Sequence, residues 1–497
     1  MSATEISFRG GLNASAPFIL MPPGQCLAFS DMQLLYGQLF PRNQFRVINS
    51  SSITSGHKSI ATWNDGVNGI FIYAIDVTNG SIYRSNSQWQ DSTAVFQVGF
   101  TNVVGSASLA SAATSPISYD ILNNILVMTN SATTSPFKFT SNTASGAVLG
   151  GSPPQFCSTI KAVNNYLFLC PTLGSRVYWS NLNDPETWPA ANYVDFNTKN
   201  GDFITALGKI GTDLFIFKEK SIGKLSTTAI SGANIGPFSV IWDNLGCQSS
   251  NGVDNLPDGR LVFLGSDGDV YITDGYTLQR LANLPPPNPN VAGLIGVGTT
   301  SYGTPNVWLR YYPRYHEIVI SSPFNNVMLA YDLDQQYWRQ ITGVTSWGLD
   351  VMKTLGISGA TRYSYLFGSS STGDCLFLDN FISSGSTVKD DQGNDITAYA
   401  TASIRIPETI RSSNTFGISA YCTGTSGTDA ALTVGYDNTL SGNAFDLHTI
   451  SKTKYDFVSS PTPTSTRVQP ITMQFKFSTK YLSAVLYALF IDDMVDA

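Results

Sequence analysis

The feature that most constrains this chain is a recurrent pair of apolar segments. An apolar run of strand length, a polar turn and a second short run, with an aromatic in six of the copies, recur seven times. The pairs are Gly69–Tyr73 with Ser81–Arg84, Ile125–Met128 with Phe137–Phe139, Tyr166–Leu169 with Arg176–Trp179, Leu214–Phe217 with Ser221–Leu225, Leu261–Leu264 with Val270–Ile272, Glu317–Ile320 with Met328–Tyr331, and Tyr365–Phe367 with Leu376–Leu378. They repeat roughly every 40 to 60 residues, the spacing of propeller blades. The first run of each pair is apolar on consecutive residues, as in sheets covered on both faces. One hairpin cannot bury two faces. Stacked radially, each sheet is covered by two neighbours and the ring leaves only short edges. The pattern predicts an all-β chain whose centre, residues 51–385, is a β-propeller of six or seven blades. Two or three stacked sandwiches are the competing arrangement; the even spacing and scarce helix signals favour the ring.

The flanks read differently. Residues 1–50 form an N-terminal arm or lead-in, with turn signals at Gly10-Gly11 and Pro22-Pro23-Gly24. A short helix over Asp31–Tyr36 is one reading of its apolar stretch. Beyond a polar, turn-rich stretch from Ser383 to Asp395, residues 386–497 alternate as Thr401–Ile406, Phe416–Tyr421, Ala430–Tyr436, Ile471–Phe477 and Leu482–Ile491. Those segments predict a C-terminal antiparallel β-sandwich-like domain docked on the propeller.

Composition supports strands and restricts function. Charged residues are 13% of the chain, against roughly 25% in an average soluble domain. The deficit is filled by Ser, Thr, Asn and Gly, with 43 Gly and 24 Pro available for turns. Few charges also suit a surface largely covered by neighbouring subunits. The net charge is −7 and there is no Lys/Arg-rich block, so nucleic acid is expected to pass over this protein and not to be gripped through its phosphates. Cys26, Cys157, Cys170, Cys247, Cys375 and Cys422 lie far apart without a C-x-x-C pair; they read as small buried hydrophobes. No secretory signal is expected at the polar start, and no apolar run approaches the roughly 18 residues of a membrane span.

Catalytic signatures are weak. His57, His316 and His448 have no metal-ligand spacing around them. There is no G-x-S-x-G elbow, phosphate loop or H-E-x-x-H. Arg405-Ile406-Pro407 matches a tripeptide of sialidases but falls after the predicted propeller. Asp267, Asp269 and Asp274, interleaved with Gly268 and Gly275, fit hairpin turns better than a calcium site. The expectation is no enzyme, no cofactor, no metal and no catalytic or binding residue. In Ser180–Trp188, Asn183-Asp184-Pro185 starts a turn, and Trp188 is expected to fold back on the strand carrying Tyr178 and Trp179.

The stretch RVYWSNLNDPETWPAANYVDF, the following GDFITALGKIGTDLFIFKEKSIGKL, and the opening Gly10-Gly11-Leu12-Asn13 with Pro22-Pro23-Gly24 together resemble the tail nozzle proteins of short-tailed bacteriophages. These are also called tail tubular protein B, tail hub or DNA-stabilization proteins. The resemblance covers about a third of the chain. It implies a structural virion protein, a propeller-bearing subunit in a homo-oligomeric ring, usually a hexamer, beneath the portal and adaptor. Such a ring retains and then ejects viral double-stranded DNA and carries fibres or spikes; it is assembled in the bacterial cytoplasm. This chain is shorter than the larger members and is expected to lack some of their platform or tip domains. A glycan-binding, receptor-binding or lectin-like propeller is the alternative, and a cytoplasmic scaffold propeller a third.

Overall fold

The computed structural model describes residues 3–5, 25–35, 38–42, 45–49, 58–76, 80–88, 98–104, 117–131, 135–198, 201–236, 238–247, 249–281, 307–322, 327–343, 348–352, 365–369, 374–378, 397–405, 416–423, 430–436, 445–446, 456–459, 472–479 and 485–493, with the single positions Phe8, Leu12, Ile53, Leu109 and Asp395. Among these there is no helix, and hence none long and apolar enough to cross a membrane.

Seven four-stranded antiparallel units follow one another among the described residues. Blade 1 is Lys58–Asn64, Ile70–Asp76, Ile82–Ser85 and Phe100–Asn102; blade 2 is Ser118–Leu122, Ile125–Thr129, Phe137–Phe139 and Ala147–Val148. Blade 3 comprises Cys157–Val163, Tyr166–Pro171, Arg176–Trp179 and Tyr193–Asp195; blade 4, Ile204–Ile210, Asp213–Lys218, Ser221–Ser226 and Phe238–Asp243. Blade 5 is Val253–Asn255, Leu261–Leu264, Val270–Thr273 and Leu278–Arg280; blade 6, Trp308–Tyr312, Glu317–Ser321, Val327–Asp332 and Tyr337–Thr342. Blade 7 takes Leu349–Met352, Tyr365–Ser369 and Cys375–Leu378, and its fourth strand, Phe45–Val47, comes from near the N-terminus. The innermost strand of blade 7 lies against that of blade 1, which closes a seven-bladed propeller.

Each apolar pair read from the sequence is the second and third strand of one blade. The second strands have both faces buried, as at Ile70–Asp76 and Leu261–Leu264, so consecutive apolar residues are what the packing demands. Apolar clusters fill the space between blades; one holds Trp63, Tyr73, Met128 and Phe139 of blades 1 and 2, another Val177, Trp179, Ile216 and Leu225 of blades 3 and 4. Cys26, Cys157, Cys170 and Cys247 are buried thiols that form no disulfide, small hydrophobes in effect; the side chains of Cys375 and Cys422 lie outside the described ones.

Two antiparallel sheets complete the chain as a sandwich-like unit. One consists of Cys26–Ser30, Ala398–Arg405, Thr472–Thr479, Ala430–Tyr436 and Phe445–Asp446, in that order. It continues blade 6 outward, because Cys26–Ser30 pairs parallel with Tyr337–Thr342 through Ser30 and Gln340. The other orders Met32–Leu35, Gln38–Pro41, Val485–Asp493, Phe416–Thr423 and Asp456–Ser459, with Ala3–Glu5 also on Val485–Asp493. The expected short helix after Asp31 is therefore a strand, Met32–Leu35, paired antiparallel with Gln38–Pro41. A four-residue segment has no helical nucleus of its own, and Gln38–Pro41 supplies the partner for its backbone.

Candidate functional site: a bridged axis and an apolar rim

Two places concentrate polar or exposed groups that blade packing alone does not require. The first is the propeller axis. On the innermost strands, carboxylates accept hydrogen bonds from backbone amides of the next blade. Asp120 Oδ2 accepts from Ala162 N at 2.9 Å, blade 2 to blade 3. Asp254 Oδ2 accepts from Tyr311 N at 2.9 Å, blade 5 to blade 6. Asp350 Oδ2 accepts from Thr62 N at 2.7 Å and Thr62 Oγ1 at 2.6 Å, blade 7 to blade 1. Such charge-assisted bonds satisfy inner-edge amides that have no further strand to pair with.

Asn251 then reaches between non-adjacent blades: its Nδ2 donates to Ile117 O at 2.9 Å, at the start of blade 2. Arg310 holds Asn251 through Nη2 to Oδ1 at 3.1 Å and Nη1 to its carbonyl at 3.0 Å, and its Nε lies 3.7 Å from Asp350. Burial pushes the Asp350 carboxyl above the usual carboxylate range, a rise that Arg310, Thr62 and Tyr119 only partly offset. The axis is thus bridged by side chains of blades 1, 2, 6 and 7 and the lead-in to blade 5, and it works as a polar hub.

The second place is a rim on blades 3 and 4. Phe156, Leu173 and Phe203 are 46%, 63% and 38% exposed. Backbone bonds set their segments side by side: Thr172 N donates to Phe156 O at 2.8 Å, and Ile204 N to Gly174 O at 2.9 Å. Phe156 and Leu173 have φ of 53° and 55°. A bulky residue in the left-handed region costs roughly 1–2 kcal/mol, and such strain collects where structure serves function. Phe238 and Val240, on the outer strand of blade 4, are also exposed, as is Tyr193 on that of blade 3. Exposed apolar residues on adjoining segments, as Phe156, Leu173 and Phe203 are, mark contact surfaces.

A buried ion pair stands under Phe203. Lys218 Nζ and Asp202 Oδ1 are 3.1 Å apart and both side chains are almost fully buried. Asp202 Oδ2 also accepts from Lys220 N at 3.0 Å and Ser221 Oγ at 3.1 Å. Burial raises the Asp202 carboxyl, but bonds from Thr198, Lys220 N and Lys218 outweigh it and leave it below the usual range. A lowered folded value means that the stabilisation is present above the unfolded value of about 3.9 and is lost as pH falls through the folded one. Asp202→Asn is therefore expected to flatten the acid limb of the stability–pH curve. Urea midpoints at steps from pH 6 to pH 3 check this; parallel wild-type and variant curves would reject it.

The distinctive loop of blade 3 forms a clasp. Trp188 Nε1 donates to Pro185 O at 2.8 Å, and its ring packs on a cluster of blades 2 and 3 that includes Leu122, Leu149, Cys157, Leu167 and Leu169. The expected partner strand was that of Tyr178 and Trp179; instead Trp179 is buried toward blade 4 and Tyr178 faces Tyr193, ring centroids 5.9 Å apart. Glu186 pairs with Lys138 of blade 2. The Asp-rich segment is a set of turns: Asp267 Oδ1 accepts from Asp269 N at 3.2 Å, Asp274 Oδ1 from Tyr276 N at 2.8 Å, and Asp269 pairs with Arg280 at 2.5 Å. No group of three or more His, Cys, Asp or Glu is placed to hold a metal among the described residues. His316 contacts Asp334 at 2.6 Å; His57, His448 and Pro285–Pro287 lie outside the described residues, as does the side chain of Arg405.

Sequence reasoning named none of the axial or rim residues. Asp120, Asp254 and Asp350 each interrupt a first strand, which carries less apolar signal than the second strands do.

No protein-family model matches the chain, and no curated protein matches it. Among solved structures it is similar to a virginiamycin B lyase from Staphylococcus aureus, with 12% identity over 68% of this chain and 99% of that one and a TM-score of 0.43. It is also similar to YCF48 bound to a D1 peptide, with 10% identity, 71% and 100% coverage and a TM-score of 0.41. The β-propeller domain of Myceliophteria thermophila Cps50 (Swd1) gives 10% identity, 66% and 98% coverage and a TM-score of 0.43. Likenesses this distant carry no argument about function, and it is the closed order of seven sheets in this chain that makes it an all-β propeller with sandwich-like C-terminal sheets.

Proposed function

We propose that this chain is a non-enzymatic structural subunit of a short-tailed phage virion: the tail nozzle, forming a homo-oligomeric ring below the portal and adaptor through which viral DNA is retained and ejected. The observation that carries the reading is the apolar rim. The segments with the family resemblance fold into the third and fourth strands of blade 3 and the first three of blade 4, where Leu173 and Phe203 border them and Tyr193 belongs to them. In this reading the rim meets a different face of the next copy, a heterologous contact that closes into a ring. In this reading DNA passes between copies and not through the bridged axis of any one propeller, and the chain's net charge of −7 disfavours phosphate binding.

Leu173→Asn separates assembly from folding. Asn tolerates the left-handed region, so the variant is expected to keep or raise its urea midpoint by about 0.5–1 kcal/mol equivalent while losing the ring. Electron microscopy and mass photometry of the wild type should show a ring of about six copies with a central hole. A wild-type monomer or closed trimer at micromolar concentration would overturn the nozzle reading.

A second reading has one observation in its favour. Arg176 lies 3.9 Å from the centroid of Tyr193 and Tyr178 stands beside it, an exposed aromatic shelf of the sort that stacks on sugars. Binding on a glycan array that Tyr193→Ala abolishes would favour a glycan-binding propeller.

A further inference from the structure

We propose that the described segments Cys26–Leu35, Gln38–Arg42 and Phe45–Val47 form a strap that makes closure of the propeller and docking of the C-terminal sheets a single event, with the buried Asp31–Arg42–Thr342 cluster as its latch. The inference concerns one copy of the chain and is independent of any ring.

Across these segments the backbone visits four partners. Cys26–Ser30 lies between the outer strand of blade 6 and Ala398–Arg405 of the first C-terminal sheet. Asp31, with φ of 58°, turns the chain. Met32–Leu35 and Gln38–Pro41 then belong to the second C-terminal sheet, which Leu39 joins to Val485–Asp493 through Leu486. Phe45–Val47 next closes blade 7 with three residue pairs, Phe45 to Leu378, Arg46 to Phe377 and Val47 to Leu376. A three-residue edge strand is a weak closure for a ring of seven blades, since isolated short pairings are marginal in water.

The latch sits where these partners meet. Arg42 Nε donates to Asp31 Oδ1 at 2.6 Å, and both side chains are buried, 1% and 0% exposed. Asp31 accepts from Thr342 N at 2.9 Å and from the Thr342 hydroxyl, while Asp31 N donates to Gln340 O at 2.8 Å. Arg42 Nη2 reaches Thr342 O at 3.2 Å, and the guanidinium lies 5.4 Å from the ring centroid of Phe45. Phe45 is buried among Trp308, Met328, Leu349 and Leu366 at the seam of blades 6 and 7. Leu34 N donates to Tyr337 OH at 2.9 Å, a second anchor on blade 6. Asp31 thus ties Arg42 to blade 6 at Gln340 and Thr342, and Arg42 in turn lies against Phe45 of the closing strand. Freeing the latch releases the first C-terminal sheet from blade 6 and the closing strand from blade 7 together, and any load on the C-terminal sheets reaches the blade 6–7 seam.

Hydrogen exchange of the full chain, read by mass spectrometry, tests this with Thr342→Val, which exchanges the hydroxyl for a methyl group, and Arg42→Lys, which keeps the charge but loses the guanidinium's second donor. Both variants are expected to exchange at least tenfold faster at Cys375–Leu378 and at Ala398–Arg405, with one shared rate, while Tyr166–Pro171 of blade 3 stays at the wild-type rate. Should Arg42→Lys fail to fold, Thr342→Val alone decides. Faster exchange at one of the two segments without the other overturns the proposal, and so does no change at either.

Discussion

Replacing Glu317 with alanine is expected to cost about 3–5 kcal/mol of folding stability, the largest effect of any single truncation considered. Arg339 Nε and Nη2 donate to Glu317 Oε1 and Oε2 at 2.9 and 2.7 Å in a bidentate fork. The two side chains are only 2% and 3% exposed, so the alanine variant leaves a guanidinium in the protein interior with no counter-charge. Arginine cannot escape by losing its proton at accessible pH. The pair is not thereby a net stabiliser. Desolvating both charges offsets most of their attraction, and Arg339 Nη1 has no hydrogen-bond partner among the described residues. Glu317→Leu with Arg339→Met is accordingly expected to return to within about 1 kcal/mol of the wild type, as buried pairs exchanged for apolar groups of similar volume often do. Urea unfolding of the two variants measures both numbers. A loss below about 1 kcal/mol for Glu317→Ala would mean that water or a rearranged carboxylate reaches Arg339.

How much of this architecture can be read from sequence depends on how completely a strand is buried. The second strands are covered on both faces, so Ile125–Thr129 and Leu261–Leu264 show as continuous apolar runs that no loop would carry. Two of the outer strands, Ala147–Val148 and Tyr193–Asp195, are short and largely exposed and leave no periodic trace. First strands were missed although two had a usable signal. Asn123-Asn124 and Asn164-Asn165 both take positive φ between Ser118–Leu122 and Ile125–Thr129 and between Cys157–Val163 and Tyr166–Pro171. Two adjacent left-handed residues are the requirement of a tight hairpin with a primed turn, and Asn is among the few residues that meet it. The role of Phe45–Val47 is not legible at all, because its partner Cys375–Leu378 is more than 300 residues away and three residues carry no pattern. The axial hub escaped for a related reason: Asn251, Arg310 and Asp350 belong together only once the ring has closed.

Gly151→Ala is expected to cost about 3 kcal/mol, from two sources that a second glycine, in blade 4, separates. Gly151 has φ of +75°, and a Cβ there would stand 1.7 Å from Glu186 O and 2.6 Å from its carbonyl carbon. The left-handed conformation accounts for roughly 1–2 kcal/mol and the collision for a further 1–3 kcal/mol or so. Because the obstacle is backbone, no rotamer change relieves it; the whole 181–188 loop has to move. That loop carries Trp188, which covers the seam of blades 2 and 3, and Glu186, which pairs with Lys138 across it. Gly211→Ala provides the comparison, since Gly211 has φ of +58° and nothing within 4 Å of a Cβ, so only the conformational cost applies. The difference between the two urea midpoints therefore measures how firmly the loop is held against blade 2. A large difference, with Trp188 fluorescence shifted toward that of an exposed indole in Gly151→Ala alone, means that the 181–188 loop is a rigid inter-blade clasp. Equal losses mean that the loop yields to a methyl group and is held by its own turn, Pro185 O to Trp188 Nε1, more than by the neighbouring blade.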